Sequence, residues 1–176
     1  MSEKVRKALV RCGAILYGDF TLASGKKSSY YVDIKKASTD PETLRLVAKE
    51  MAVRLKESGF KVDRIAGVVL GSIPLAVALS LETGIPFIMV RKEKKDHGTS
   101  KLIEGSYLPG DRVLVVEDVV TSAGSALFAV ELLRSEGLVV DQAFSVVDRE
   151  EGGANKLREL GVELTSLVTA CEVLRK

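Results

Sequence analysis

Residues 113–126 constrain the fold of this chain more than any other stretch. Val113-Leu114-Val115-Val116 is an apolar, mostly β-branched run of the kind that lies buried on both faces as a central parallel strand. Glu117 and Asp118 follow at once, at the expected strand end. Val119 and Val120 then lead into Thr121, Ser122, Ala123, Gly124 and Ser125, before an apolar helical pattern begins. In open α/β sheets ligands bind beyond the carboxyl ends of strands, where a turn and a helix N-terminus deliver backbone N–H groups together. Small side chains at 121–125 let those amides approach closely, so the turn suits a phosphate monoester. The two acids cannot usefully face that phosphate. They suit the hydroxyls of an attached ribose, held directly or through a hydrated Mg²⁺. The stretch therefore points to a site for a phosphorylated sugar. A buried strand running into an ordinary helix N-cap is the simpler alternative, and it leaves two adjacent acids beside an apolar strand without a partner.

The rest of the chain predicts a matching scaffold. Ser2 is placed to cap a helix over 3–12 that Gly13 closes, and 14–29 forms a strand and turn region. A short strand over 30–34 follows, then a turn at 38–42 in which Thr39 and Glu42 have capping-box spacing. The helix opened there runs to about Ser58 and stops at Gly59. Strands are expected over 64–70, 86–90, 112–116, 142–147 and 163–168, with helices over 74–83, 123–136 and 154–160. This alternation predicts the α/β class, with a mainly parallel twisted sheet and helices on both faces. Between Arg91 and Tyr107 the periodicity fails. A stretch of that length inside a compact domain is a functional lid or a disordered insertion, and its charged composition favours a mobile lid over 91–107.

A length of 176 residues fits one domain over 1–176. The 26 basic and 24 acidic residues leave a net charge of +2, which gives no overall case for nucleic acid or a membrane surface, so any anion site is local. Cys12 and Cys171 have neither metal-ligand nor disulfide-framework spacing. The N-terminus lacks the apolar stretch of a signal peptide and no run reaches the length of a membrane span, so a cytoplasmic location is expected. The chain contains no Walker loop and no Gly-x-Gly-x-x-Gly fingerprint.

Residues 113–125 resemble the signature of type I phosphoribosyltransferases, which bind 5-phosphoribosyl-1-diphosphate (PRPP), with Glu117 standing where many relatives carry Asp. The likeness implies the fold of that family, with a small N-terminal hood over 1–40. It also implies PRPP contacts from Glu117, Asp118, Val119, Val120, Thr121, Ser122, Ala123, Gly124 and Ser125. Arg91-Lys92-Glu93-Lys94-Lys95-Asp96-His97-Gly98 followed by Ile103-Glu104-Gly105 is similar to the catalytic loop of orotate phosphoribosyltransferases. That likeness gives Arg91, Lys92, Lys95 and His97 to the PRPP diphosphate. It implies a homodimer in which the loop reaches across to the partner's site. Lys and Arg brought to a departing diphosphate act where negative charge develops; a solvated charged hairpin is the alternative on this stretch alone.

Three further segments fit the same family. Gly71 and Ser72 open a helix after a strand and resemble the diphosphate loop, without the Lys some relatives carry there; a plain βα turn is the alternative. Arg149 in Asp148-Arg149-Glu150-Glu151-Gly152 resembles the orotate-binding Arg, and the alternative is a strand-end Arg paired to Glu150 or Glu151. Tyr30 and Tyr31 resemble the aromatic pair beside the base, or pack as ordinary strand residues. In this segment Ala23 replaces a Lys of several relatives, and Lys26 or Lys27 could take over its contact. The resemblance implies transfer of ribose 5-phosphate from PRPP to orotate, with Lys95, His97 and Asp118 catalytic and Thr121 also at the base. Mg²⁺ would be held mainly by PRPP and water near Glu117 and Asp118, with no direct protein ligands. A purine phosphoribosyltransferase and a PRPP-sensing regulator on the same fold are the competing functions.

Overall fold

The chain enters through a capped helix. Ser2 Oγ accepts a hydrogen bond from Val5 N and starts α1 (Glu3–Arg11), which buries Val5, Ala8 and Leu9. An antiparallel hairpin follows, β1 (Ile15–Thr21) and β2 (Lys27–Val32), forming a small sheet of its own. The computed structural model describes residues 2–21, 27–92 and 101–174. After the hairpin come α2 (Ile34–Thr39), α3 (Pro41–Ser58), β3 (Arg64–Val68), α4 (Ile73–Thr83) and β4 (Phe87–Val90). Next are β5 (Ile103–Glu104), β6 (Arg112–Val120), α5 (Gly124–Ser135), β7 (Val139–Asp148), α6 (Gly153–Glu159), β8 (Glu163–Thr169) and α7 (Ala170–Leu174).

The main sheet has the order β5-β4-β3-β6-β7-β8 and is parallel except for β5, which returns antiparallel to β4. The predicted α/β class is therefore the observed one. Val113 to Val116 lie at the centre of this sheet with almost no exposure, as a run that is apolar on both faces requires. One core packs α1, α3 and α4 with the hairpin on one face, around Leu9, Met51, Leu75 and Phe144. The other packs α5 and α6 on the opposite face, around Val115, Ala129, Leu133 and Leu157. Helix α4 lies so close to β3 that a Cβ on Gly67 would sit 2.9 Å from that of Ala76.

Several boundaries differ from expectation for local reasons. Ile34 begins α2 instead of ending a strand. Within α2 the Thr39 hydroxyl donates back to Lys35 O, so Thr39 caps nothing, and the carboxylate of Asp40 accepts from Thr43 N at 2.9 Å to cap α3. Strand β6 continues past the acids to Val120 because β7 runs beside it as far as Asp148, pairing Glu117 with Ser145 and Val119 with Val147. Strand β3 stops at Val68, two residues short of the expected end, where the Ser72 hydroxyl closes the turn on Val68. Strand β5 and helix α7 carry no period long enough to mark them in the sequence. None of the described helices is long and apolar enough to cross a membrane.

Candidate active site

From β3 the chain passes outward to β4 and β5, then returns to the other side of β3 as β6 and continues outward to β7 and β8. The order thus reverses between β3 and β6, and in such a sheet the crevice at the carboxyl ends of those two strands is the natural ligand site. The turn after β3 and the acids of β6 meet there. A Cβ on Gly71 would lie 2.1 Å from Asp118 Oδ2, so only glycine leaves room for that carboxylate. Asp118 Oδ1 accepts from Val119 N at 2.7 Å. The Ser72 hydroxyl is spent on Val68, accepting from its N and donating to its O, so this residue offers the crevice its backbone alone.

Glu117 is 6% exposed, and its Oε1 has no hydrogen-bond partner among the described residues. Burial, and after it the neighbouring Asp118 charge, pushes its carboxyl up to about 8, against a smaller opposing pull from Lys92. A buried acceptor without a donor is a costly group to keep in a folded chain. It suits a ligand hydroxyl.

The turn at 121–125 leaves β6 and enters α5 through Ala123, a non-glycine residue at φ 61° that forms the helix N-cap position. A side chain in that left-handed region stores strain, a state found where a loop is held for binding. The turn is held from two sides. Gly153 N, at the start of α6, donates to Thr121 O at 2.9 Å, and a Cβ on Gly153 would fall 2.5 Å from that oxygen. Lys92 Nζ donates to Ser125 Oγ at 2.6 Å. Val120 is buried in the core under α5 and α6, and the half-buried Val119 packs on the core of the opposite face.

Arg149 follows β7, with its N donating to Val120 O. Its guanidinium lies 4.8 Å over the ring of Tyr30, pairs through Nε with Glu151 Oε1 at 2.9 Å, and donates from Nη2 to Ser28 Oγ at 3.4 Å. Tyr30, 7% exposed, is thus a core residue and a platform for Arg149, whereas Tyr31 is 42% exposed and lies 5.6 Å from the Phe20 ring. Arg149 thus stands at the end of β7 and is paired to Glu151, as the plainer reading of a strand-end Arg expects.

Strands β4 and β5 frame the expected lid as the two arms of a hairpin, closed by Arg91 N donating to Leu102 O and by Arg91 facing Glu104 at 3.8 Å. Lys95 and His97 lie outside the described residues, as do Ala23 and Lys26. The other expected residues converge on one end of the sheet. Sequence reasoning missed Ser28 and Gly153 as parts of this arrangement. Ser28 had no signal beyond its place in a polar turn, whereas the Gly152-Gly153 pair between a strand and a helix marked a close backbone approach. Among the described residues no three His, Cys, Asp or Glu side chains gather as a metal site.

The phosphoribosyl transferase domain family matches residues 38–159. The chain is 54% identical to the orotate phosphoribosyltransferase of Methanosarcina mazei, over 98% of this chain and 91% of that one. It is 46% identical to that of Pyrococcus abyssi, over 98% and 95%. Among solved structures, the orotate phosphoribosyltransferase from Aeropyrum pernix superposes with a TM-score of 0.84 at 33% identity, covering 97% of this chain and 96% of that one. The Mycobacterium tuberculosis orotate phosphoribosyltransferase in complex with PRPP gives 0.78 at 30% identity, with the same coverage. By its fold, its crevice and these likenesses, the chain belongs to the orotate phosphoribosyltransferase family.

Proposed function

We propose that this protein transfers ribose 5-phosphate from PRPP to orotate, giving orotidine 5′-monophosphate and diphosphate as a step of pyrimidine synthesis. The observation that carries this reading is the meeting of three groups at one sheet end: the Glu117–Asp118 pair, the strained small-residue turn at 121–125, and Arg149. Amides and hydroxyls of the turn hold the 5′-phosphate. Glu117 and Asp118 accept from the ribose hydroxyls. Arg149 presents its fork of donors to the planar, anionic base, and the exposed Tyr31, stacked near Phe20, is a further aromatic ring of the same hairpin. Backbone amides at Gly71 and Ser72 face the diphosphate side.

Displacement at the anomeric carbon passes through a ribosyl cation-like state, so the residues act chiefly by holding and by placing charge. Lys95 and His97, with Arg91 and Lys92, are assigned to the diphosphate as it departs. A cation brought by a closing lid acts late, when the leaving oxygens carry most charge, and closure keeps water from the activated sugar. Orotate arrives as an anion and needs no strong base from the protein. Mg²⁺ fits this crevice: the unpartnered Glu117 Oε1 and the adjacent Asp118 are acceptors suited to the water shell of a hydrated ion, which PRPP and water would hold. When bound, it supplies positive charge that stabilises the diphosphate.

The protein acts as a homodimer with sites shared between chains, by the likeness of 91–105 to the family loop. The test is the absorbance of free orotate with purified protein. Its loss should require PRPP and Mg²⁺ together and reverse with orotidine monophosphate and diphosphate. No loss of orotate, with a purine consumed instead, overturns the assignment of the base.

A further inference from the structure

Arg149 is 8% exposed, and a guanidinium buried that deeply must be paired and fixed in its plane to be of use to a ligand. Three contacts do this. Glu151 Oε1 lies 2.9 Å from Nε, Tyr30 supports the flat face at 4.8 Å, and Ser28 Oγ accepts from Nη2 at a long 3.4 Å. The contacts differ in what they control. Tyr30 sets the height of the plane but permits it to turn, and Ser28 is a weak tether because its hydroxyl is already committed to Tyr30 O at 2.6 Å. Glu151 alone contributes an opposite charge, and it does so at Nε. The contact is an ion pair without an aligned N–H···O bond, since the Nε hydrogen has no hydrogen-bond partner among the described residues, so Glu151 fixes where the guanidinium charge sits by attraction at close range.

We propose that Glu151 is a positioning residue for base recognition: by its ion pair beside Nε it holds the Arg149 guanidinium in place to meet the substrate's planar anionic edge. The proposal rests on the reaction proposed above. Glu151 also neutralises Arg149 before substrate arrives, so the crevice never carries a buried bare cation. Its side chain remains partly exposed, at 23%, which leaves it free to hold Arg149 without being locked into the core. Tyr30 and Ser28 belong to β2, so the same guanidinium joins the hairpin to the end of β7, and a displaced Arg149 loosens both.

The test is steady-state kinetics of the wild type, Glu151→Gln, Arg149→Ala and the double variant, each with orotate and PRPP varied separately. Glu151→Gln keeps the side-chain shape and removes the charge. It should raise the KM for orotate by roughly 10-fold or more while the KM for PRPP stays within about twofold. In the Arg149→Ala background it should add nothing, because a residue acting through Arg149 has nothing left to act on. Glu151→Asp, which keeps the charge at shorter reach, should recover part of the orotate KM, and it serves as the second variant if the Gln form folds poorly. An unchanged orotate KM in Glu151→Gln overturns the proposal. So does an equal rise in both KM values, or a full effect in the Arg149→Ala background. Wild-type protein that does not consume orotate removes the reaction itself, a result separable from these because it needs no variant.

Discussion

Replacing Glu117 with Gln should change the pH dependence of stability in one direction only. The carboxyl is held at about 8 in the fold, against an ordinary value of 4.5, chiefly by burial and next by Asp118. Between those two values the folded chain keeps a proton that the unfolded chain has lost. Folding therefore takes up a proton, and stability falls as pH rises. The stabilising contribution of the neutral acid is complete below about 4.5 and is lost as pH climbs through about 8. Each pH unit inside the window costs up to about 1.4 kcal/mol, so the whole window amounts to roughly 4 to 5 kcal/mol. Gln has the shape of the neutral acid and never ionises.

The assay is urea unfolding of both proteins between about pH 5.5 and 7.5, without substrate and at one protein concentration. The chain has no Trp, so far-UV circular dichroism is the appropriate probe. Over those two units the wild type should lose about 2 to 3 kcal/mol relative to the variant. Other groups titrating there are common to both proteins and cancel in the difference. Parallel stability curves would refute the reasoning, since they would mean that Glu117 is already charged and solvated in the fold.

Gly71→Ala should raise the KM for PRPP by roughly 10-fold with little change in melting temperature, because the new Cβ meets only the end of the Asp118 side chain; a large thermal loss with normal PRPP binding would contradict it. Gly153→Ala should do the reverse and destabilise by about 1 to 3 kcal/mol in urea melts, since its Cβ meets the backbone at Thr121 O, which cannot swing away. Lys95→Ala should lower kcat far more than it weakens PRPP binding, and equal losses in kcat and in PRPP affinity from titration calorimetry would sink the role given to the lid. Mixing Lys95→Ala with Arg149→Ala protein should restore part of the activity, whereas no recovery after confirmed subunit exchange would count against sites shared between chains.

What the sequence made legible follows from where its information is local. A run such as Val113-Leu114-Val115-Val116 has to be buried on both faces, so the centre of the sheet could be placed without coordinates. The boundaries that failed are those set by a partner. Strand β6 extends through Glu117 and Asp118 because β7 offers it a ladder as far as Asp148, and nothing in residues 112–120 announces that. The cap of α3 moved from Thr39 to Asp40 because Thr39 found an acceptor one turn back, on Lys35. Two-residue strands such as β5 are below the length at which alternation can register at all.

The same distinction applies within the crevice. Glu117, Asp118 and the turn at 121–125 are neighbours in sequence, so their chemistry was visible as a string. Arg149 and Tyr30 are 119 positions apart, and only the fold reveals that one lies over the other's ring at 4.8 Å. A ring whose face carries a guanidinium, in a residue 7% exposed, supports Arg149, whereas the neighbouring Tyr31 is exposed. Alternation along β2 points Tyr30 inward to the Arg149 support and Tyr31 outward. A one-residue slip in the β1–β2 register would exchange those faces, so the pairing of Tyr17 with Tyr30 and of Leu16 with Tyr31 is itself part of how the site is built.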